Sequence, residues 1–284
     1  MTLCFFVSDL HGNSSKYNKL FEAIGAEKPG VVFVGGDFLP SGYGRGIESL
    51  SDFVYDFLSP NLQSLKRNML RDFPRIFLIM GNDDERKTEP AVSHLEREGL
   101  LEYMHEKLAH LGEYQVYGYS CVPPTPFQLK DWERYDISKF LEAGCLAPED
   151  GWFSVKVDDR EIRMATIKSD LHRLVGEASL QHSILLFHAP PYSTHLDRAS
   201  LDDVRVDGVQ LDVHVGSVAI RRLIESRQPM ITLHGHIHES ARLSKSWQDK
   251  IGRTYLFTAA HDGPQLALVS FDLENPAGAV RKLI

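Results

Sequence analysis

Length, composition and charge set the first limits on this sequence. It has 284 residues, of which 43% are hydrophobic and 25% are charged, and this balance excludes wholesale disorder. The formal charge of -8 at pH 7 argues against a protein that wraps nucleic acid, although a small nucleotide substrate stays possible. Because no linker-like composition divides the chain, we expect a single domain over residues 1–284.

The cysteine content and the N-terminus predict a cytoplasmic protein. Cys4, Cys121 and Cys145 are odd in number and no pair has C-x-x-C spacing, which is typical of a reduced chain. The first residues contain neither a basic region nor a long apolar run, so they predict no secretory signal. No stretch reaches the roughly 18 apolar residues of a membrane helix, and we therefore expect no membrane partner.

Seven short apolar runs predict β-strands. Each is about five residues long and does not alternate with polar residues, which is typical of strands buried on both faces. The runs cover residues 3–7, 31–34, 76–80, 183–187, 230–233, 255–258 and 266–271.

Helical periodicity occurs between several of these runs. Strands that alternate with helices predict a layered α/β fold. We predict a helix capped by Ser14 or Ser15 and ended by Gly25, and further helices over residues 90–98, 101–111 and 218–226, the last capped by Ser217.

Residues 114–180 have a less regular pattern. They contain several prolines and a possible hairpin turn at Asp158 and Asp159, so the segment could form extra strands, an insertion or a lid beside a site. Three aromatic side chains of this segment could belong to the core or line a substrate pocket, and the core is favoured: Trp132, Tyr135 and Phe140.

Polar side chains of metal-ligand type directly follow five of the predicted strands. Ligand sites in α/β sheets form at the C-terminal ends of the strands, so we expect these side chains to meet at one rim. They are Asp9, His11, Asp37, Asn82, Asp83, His188, His236 and His238.

The chemistry of these side chains indicates a pair of metal ions. Nitrogen and oxygen donors without thiolates suit Mn, Fe, Zn, Co or Ni rather than Ca. Asp37 has two carboxylate oxygens and could bridge two cations, and Asn82 offers a neutral oxygen. Two divalent ions about 3.5–4 Å apart can hold a bridging hydroxide and stabilise both ends of an in-line displacement at phosphorus.

The spacing within two of the motifs leaves alternatives open. Asp9 and His11 lie two residues apart, so on an extended segment both could reach one ion. His236 and His238 have the same spacing and could do likewise. A bent segment could instead give one imidazole to each of two ions.

The five motifs in this order resemble those of the calcineurin-like metallophosphoesterases. The family pattern is D-x-H, G-D, G-N, an isolated His and G-H-x-H, and here it spans about residues 3–239. The sequence around His188 and over residues 214–240 most resembles an uncharacterised prokaryotic phosphoesterase branch of this family. The resemblance implies an α/β fold, a four-layer αββα sandwich of two mixed β-sheets flanked by helices.

The resemblance also implies an activity and a role for each motif residue. The activity is hydrolysis of phosphate esters with two divalent metal ions, of which Mn is the first choice, and a metal-bridging hydroxide as nucleophile. Asp37, Asn82 and Asp83 are the candidate catalytic residues. In the implied ligand set Asp37 bridges the ions, the first of which is bound by Asp9, His11 and His238 and the second by Asn82, His188 and His236.

One departure from the family pattern concerns the proton donor. Many members have His after the Gly-Asn pair, where this chain has Asp83. Nearby cations lower the pKa of a carboxyl group, so Asp83 is a poor general acid near neutral pH. His195, His214 and His261 are alternative donors, and Asp84 is expected to orient a neighbour.

A second departure concerns the substrate. The arginines that grip the phosphate in the protein Ser/Thr phosphatase branch are missing, which favours a phosphate diester with its smaller negative charge. Arg86 and Lys87 could meet a phosphate, although a solvated helix start is the simpler interpretation. We therefore predict a phosphodiesterase.

Two alternatives stay open beside the phosphodiesterase. They are a phosphomonoesterase and a non-catalytic metal-binding scaffold of the same fold. The expected partner is a small phosphate ester, and the acidic charge makes nucleic acid an unlikely ligand. The sequence predicts no oligomeric state.

Overall fold

Two six-stranded sheets form the centre of the protein, as seen in a computed structural model that describes residues 2–41 and 52–284. The order in the first sheet is β14 (Asn275–Leu283), β13 (Ala267–Asp272), β1 (Leu3–Val7), β2 (Val31–Gly35), β3 (Arg75–Ile79) and β4 (Glu102–Tyr103). Strands β1 to β4 are parallel, and β13 pairs antiparallel with both β1 and β14.

The second sheet has a parallel centre and antiparallel edges. A separate two-stranded hairpin joins β8 (Arg205–Val206) to β9 (Val209–Gln210). The order in the second sheet is β11 (Gln248–Ile251), β12 (Thr254–Thr258), β10 (Ile231–His234), β7 (Ser183–Phe187), β6 (Tyr114–Tyr119) and β5 (Lys107–Leu111).

Helices flank these sheets. Among the described residues, none of the helices combines the length and the apolarity needed to cross a membrane. The helices are α1 (Ser14–Glu27), α2 (Ser59–Met69), which continues a π-helical stretch (Phe53–Leu58), α3 (Glu89–Arg97), α4 (Asp159–Met164), α5 (Ile167–Val175), α6 (Val218–Arg227) and α7 (Ser240–Ser244).

Two apolar layers explain why the central strands lack polar alternation. Successive side chains of a strand point to opposite faces, so Phe6 of β1 lies in one buried cluster and Phe5 in the other. In the first cluster the registers align Phe6 with Phe33 and Phe33 with Phe77, and the last two rings stack with centroids 5.5 Å apart. Leu186 of the second sheet belongs to the same cluster. The expected sandwich of two mixed sheets flanked by helices is confirmed.

The boundaries of α1 differ from the prediction. Asn13, and not Ser14 or Ser15, is the N-cap, since its side chain accepts hydrogen bonds from the backbone N–H groups of Ser15 and Lys16. The helix continues beyond Gly25 because the left-handed turn that ends it lies at Lys28. The predicted N-cap of α6 is confirmed, since Ser217 accepts a hydrogen bond from the backbone of Ile220.

Two local predictions are wrong. The helix expected over residues 101–111 is absent, and β4 and β5 occupy this stretch. Its apolar spacing fits a helix, but pairing with β3 and β6 makes it extended. The hairpin turn expected at Asp158 and Asp159 is also absent, because the Asp158 side chain caps α4.

The segment 114–180 begins and ends in regular structure. β6 belongs to the second sheet and α5 lies at the far end. Between them, isolated bridges link distant stretches, as between Leu129 and Trp152. Trp132 and Tyr135 are buried, as favoured by the sequence, whereas Phe140 is exposed. The single domain and the lid stay predictions.

Candidate metal centre

The loops that follow β1, β2, β7 and β10 are tied together at one rim of the sandwich. The backbone N–H of Asp9 donates to the carbonyl of Gly36 (3.0 Å), which joins the loops after β1 and β2. The backbone N–H of Gly235 donates to the carbonyl of His188 (2.9 Å), which joins the loops after β10 and β7. The backbone N–H of His236, after a strand of the second sheet, donates to Oδ1 of Asp9, after a strand of the first, so the predicted ligands of both sheets converge.

Sharp backbone turns orient several of these ligands. Asp9, His11, Asp37 and His236 all have positive φ, at 55°, 45°, 49° and 74°. Residues other than glycine rarely adopt this conformation, which costs about 1–3 kcal/mol and is concentrated at functional sites. The two motifs with two-residue spacing are therefore bent and not extended.

One group of four side chains could hold a metal ion. Asp9, His11, Asp37 and His238 each offer a ligand atom, and these atoms lie within 4.8 Å of one another. The Nε2 atoms of His11 and His238 are 3.2 Å apart, and Nε2 of His238 lies 3.3 Å from Oδ1 of Asp9. Two imidazoles and two carboxylates form a donor set that fits a divalent transition metal.

A second group lies on the other side of Asp37. Nε2 of His188 is 3.1 Å from Oδ1 of Asn82 and 3.3 Å from Oδ2 of Asp37. Nδ1 of His188 contacts the carbonyl of Gly35 at 2.7 Å, so Nδ1 keeps a proton and Nε2 is the nitrogen that would bind a metal. The same Oδ2 of Asp37 lies 3.8 Å from Nε2 of His11, a position from which this carboxylate could bridge two ions.

His236 lies beside the second group. Its ring centroid is 5.2 Å from that of His188, and its backbone N–H donates to Oδ1 of Asp9 at 3.1 Å. His238, two residues later, lies with Asp9 in the first group. This arrangement favours the alternative in which the bent motif gives one imidazole to each ion.

Glycine allows the two strand ends to approach each other closely. A Cβ atom at Gly81 would lie 2.2 Å from Oδ1 of Asp37 and 2.7 Å from Cε1 of His188. A Cβ atom at Gly36 would lie 2.6 Å from Nδ1 of His188. Any larger residue at either position would displace a predicted ligand.

The ionisation of the cluster reflects its crowding. Burial alone would lower the pKa of His188, but Asp37 raises this pKa to about 9. Burial and the nearby His188 lower the pKa of His236 to about 3. Burial would raise the pKa of Asp9, yet its hydrogen bond with His238 lowers it well below its ordinary value. The carboxylates thus stay charged and attract cations, and a bound metal would displace protons from imidazole.

Asp83 lies against His11. Its Oδ2 accepts a hydrogen bond from the Ser41 hydroxyl (2.5 Å) and lies 3.3 Å from Nδ1 of His11. Its backbone N–H donates to Oδ1 of Asp37 (2.8 Å). A carboxylate at Nδ1 orients the ring so that Nε2 faces a metal, and this contact favours an orienting role for Asp83 over proton transfer.

Asp84 organises the neighbouring loops. Its buried carboxylate accepts hydrogen bonds from the backbone N–H groups of Gly81 (2.8 Å) and Leu39 (2.9 Å). Burial and the charge of Asp37 raise the pKa of Asp84 to about 8. It therefore joins the loops after β2 and β3, which agrees with the expected orienting role.

The alternative proton donors lie in different surroundings. His214 lines the cavity that contains the metal ligands, and its Nδ1 is 2.8 Å from Oδ1 of Asp197. His195 contacts Asp249 and His261 contacts Asp262; neither histidine lines this cavity.

Asp197 is a residue of the site that sequence reasoning missed. It is fully buried and accepts hydrogen bonds from the backbone N–H groups of Ser193, Thr194 and Gly216. A possible signal was its place in a polar stretch shortly after His188, where a carboxylate can close a turn.

Arg86 and Lys87 are both engaged by carboxylates. Nε of Arg86 donates to Glu89 (3.2 Å), and the Lys87 ammonium pairs with Glu85. Neither residue lines the cavity of the metal ligands. The simpler interpretation of these two residues, a charged helix start, is therefore favoured.

The two-sheet sandwich and the converging carboxylates and imidazoles define a metal-dependent hydrolase. The model of the family described as calcineurin-like phosphoesterase matches residues 4–240. The chain belongs to this family, and it is accordingly a metal-dependent phosphoesterase.

Solved structures share the fold at low sequence identity. TT1561 of Thermus thermophilus is 13% identical with a TM-score of 0.57, over 99% of this chain and 98% of that one. A dimetal phosphatase from Danio rerio is 12% identical with a TM-score of 0.51, over 95% of this chain and 91% of that one.

A curated relative matches part of the sequence. The uncharacterized protein MJ1162 of Methanocaldococcus jannaschii is 41% identical over 78 residues. The match spans 27% of this chain and 30% of that protein.

Proposed function

We propose that the protein hydrolyses phosphate diesters with two divalent cations, with Mn²⁺ the first choice. The observation that carries this proposal is the composition of the cavity around Asp37 and His236. It joins the predicted ligands of both sheets, and among its described lining residues Arg222 is the one arginine or lysine.

The ligand residues have distinct tasks in this reaction. When bound, the two cations would supply the hydroxide nucleophile and stabilise negative charge at the phosphorus centre. Asp37 would bridge them, and the carbonyl of Gly35 would keep Nε2 of His188 directed inward. Asp83 would orient His11 in the same way. Water adds to phosphorus, one ester P–O bond breaks, and the products are a phosphate monoester and an alcohol.

The scarcity of cationic side chains favours a diester over a monoester. A monoester is mostly a dianion near neutral pH, and arginine forks are the usual partners of its oxygens. Arg86 and Lys87 are paired with carboxylates, so they do not supply this charge. A diester carries a single negative charge and needs less compensation.

Departure of the alcohol requires a proton unless the leaving group is a weak base. His214 is the best placed of the three alternative histidines, because it lines the cavity and Asp197 orients its ring. Loss of His214 should therefore slow the hydrolysis of alkyl esters more than that of nitrophenyl esters.

The test compares two model substrates on metal-free protein reconstituted with Mn²⁺. Hydrolysis of bis-p-nitrophenyl phosphate should exceed that of p-nitrophenyl phosphate, and His188→Ala should abolish it. His182→Ala, on an exposed histidine, is the matched control and should retain the activity. A preference for the monoester would overturn the assignment in favour of a phosphomonoesterase.

A different outcome would favour the scaffold alternative. If two metals bind and neither model ester nor a panel of physiological phosphate esters is cleaved, the reaction is absent. The expected partner is a small phosphate ester and not nucleic acid, and the cytoplasmic location stays a prediction from the cysteine content.

A further inference from the structure

A large cavity extends outward from the metal ligands. Its volume is about 1460 Å³, above the roughly 300–1,000 Å³ of ordinary small-molecule sites. Most of its lining comes from two segments, residues 123–152 and residues 192–222. The space therefore exceeds what a phosphate group with small substituents would fill.

Exposed aromatic side chains are concentrated in this cavity. Phe127, Phe140 and Trp152 are 52%, 68% and 46% exposed, and all three line it. Within residues 2–41 and 52–284 they are the exposed phenylalanine and tryptophan side chains. Leu201 and Leu211 of the second segment also line it. Apolar surface that stays in water at one concave place is typical of a binding site.

The charge of the cavity restricts its occupant. Several carboxylates outside the metal ligands line it, and Arg222 is the one arginine or lysine among the described lining residues. Asp136 and Asp212 are among these carboxylates. Asp136 accepts hydrogen bonds from the N-terminus of α6, and Asp212 accepts one from the Tyr192 hydroxyl. A ligand with further phosphate groups would meet net repulsion here. The part of the ligand outside the metal centre should therefore carry no further negative charge, and the apolar side chains of the lining favour an uncharged group.

We propose that this cavity binds one ester group of the substrate, and that this group is a large, uncharged and apolar alcohol. The inference rests on the proposed diesterase function and narrows its substrate class. One phosphate would lie at the metal ligands, and the apolar group would contact Phe127, Phe140 and Trp152. Nucleotides and sugar phosphates would then be poor substrates.

The first arm of the test varies one ester group and keeps the leaving group constant. Methyl, octyl and thymidine 5′-esters of p-nitrophenyl phosphate are compared by kcat/KM on the Mn²⁺-loaded protein. Each fully buried methylene contributes a factor of about 4, so partial burial of the octyl chain should raise kcat/KM at least about 100-fold over the methyl ester.

Variants of the cavity wall test the location. Phe140→Ala and Trp152→Ala should each lower the octyl-to-methyl ratio several-fold. Met164→Ala is the matched control, because this side chain is 61% exposed and lies outside the cavity lining. A ratio that falls equally in the control would overturn the assignment to this cavity.

The outcomes separate this inference from the proposed function. Cleavage of the methyl and octyl esters at equal rates, or preference for the thymidine ester, would overturn the apolar substrate class and leave the diesterase standing. If no ester is cleaved, calorimetric titration with octyl methyl phosphate and dimethyl phosphate decides. Binding of the octyl compound at least about 100-fold tighter supports the cavity, and equally weak binding overturns it.

Discussion

Gly81→Ala should inactivate the protein without unfolding it. The new Cβ would lie 2.2 Å from Oδ1 of Asp37, more than about 1 Å inside van der Waals contact. It would also clash with the backbone nitrogen of Asp37 and lie 2.7 Å from Cε1 of His188. Asp37 must therefore move by roughly 1 Å, backbone as well as carboxylate, and a displacement of that size costs about 100-fold in rate, or about 2.7 kcal/mol of transition-state stabilisation.

The assay is kcat/KM for bis-p-nitrophenyl phosphate, with metal content and thermal unfolding measured on the same samples. Gly25→Ala is the matched control, because a Cβ there has no neighbour within 4 Å. Its place in α1 predicts a gain of up to about 1 kcal/mol in stability and unchanged activity. Activity within threefold of wild type in Gly81→Ala, with full metal content, would refute the steric reasoning.

The other predictions concern stability. Lys130 and Glu133 form a fully buried ion pair, so Lys130→Met should lower the free energy of unfolding in urea by about 3–5 kcal/mol. The double variant with Glu133→Leu removes the unpaired charge but also the acceptor of the Thr125 N–H and hydroxyl, so it should recover part of this loss; equal losses in the single and double variants would contradict the prediction. Burial and Arg134 lower the pKa of His105 to about 3, so the unfolded chain gains a proton before the folded one does. The contribution of His105 to the free energy of unfolding should therefore fall by roughly 1–2 kcal/mol from pH 7 to pH 5, measured as the difference between wild type and His105→Gln; a variant with the same slope as wild type would argue against this. Chelation with EDTA should abolish activity and leave the far-ultraviolet circular dichroism intact, while added Mn²⁺ should raise the unfolding temperature; loss of the fold on chelation would contradict this expectation.

The seven strands predicted from apolar runs are largely buried on both faces, which is why they could be recognised, whereas exposed edge strands such as β5 and β14 were missed. Leu3–Val7 therefore has an uninterrupted apolar sequence. The division into two sheets came only from the family resemblance, since periodicity describes single elements and not their neighbours. Residues 101–111 show the limit of predicting secondary structure from apolar periodicity. Their apolar spacing also fits a helix, but pairing with distant strands makes the segment extended.

The ligand positions could be predicted because metal-ligand side chains follow the apolar runs. The bend of the motifs could not, since positive φ at Asp9 and His236 depends on loops far apart in sequence. The cavity could not be predicted from the sequence either, because its walls come from separate segments that meet only after folding. Asn13, Ser14 and Ser15 are all good N-caps by residue type, and the path of the chain out of β1 decides among them.

The division of the predicted ligands between the two sheets has a consequence for assembly. Asp9, His11, Asp37 and Asn82 follow strands of the first sheet, and the three remaining histidines follow strands of the second. Half of the sandwich alone could thus offer only half of the coordination sphere. High-affinity metal uptake would become a late event of folding, and a chain with mispaired sheets would be distinguishable by its failure to retain the ions.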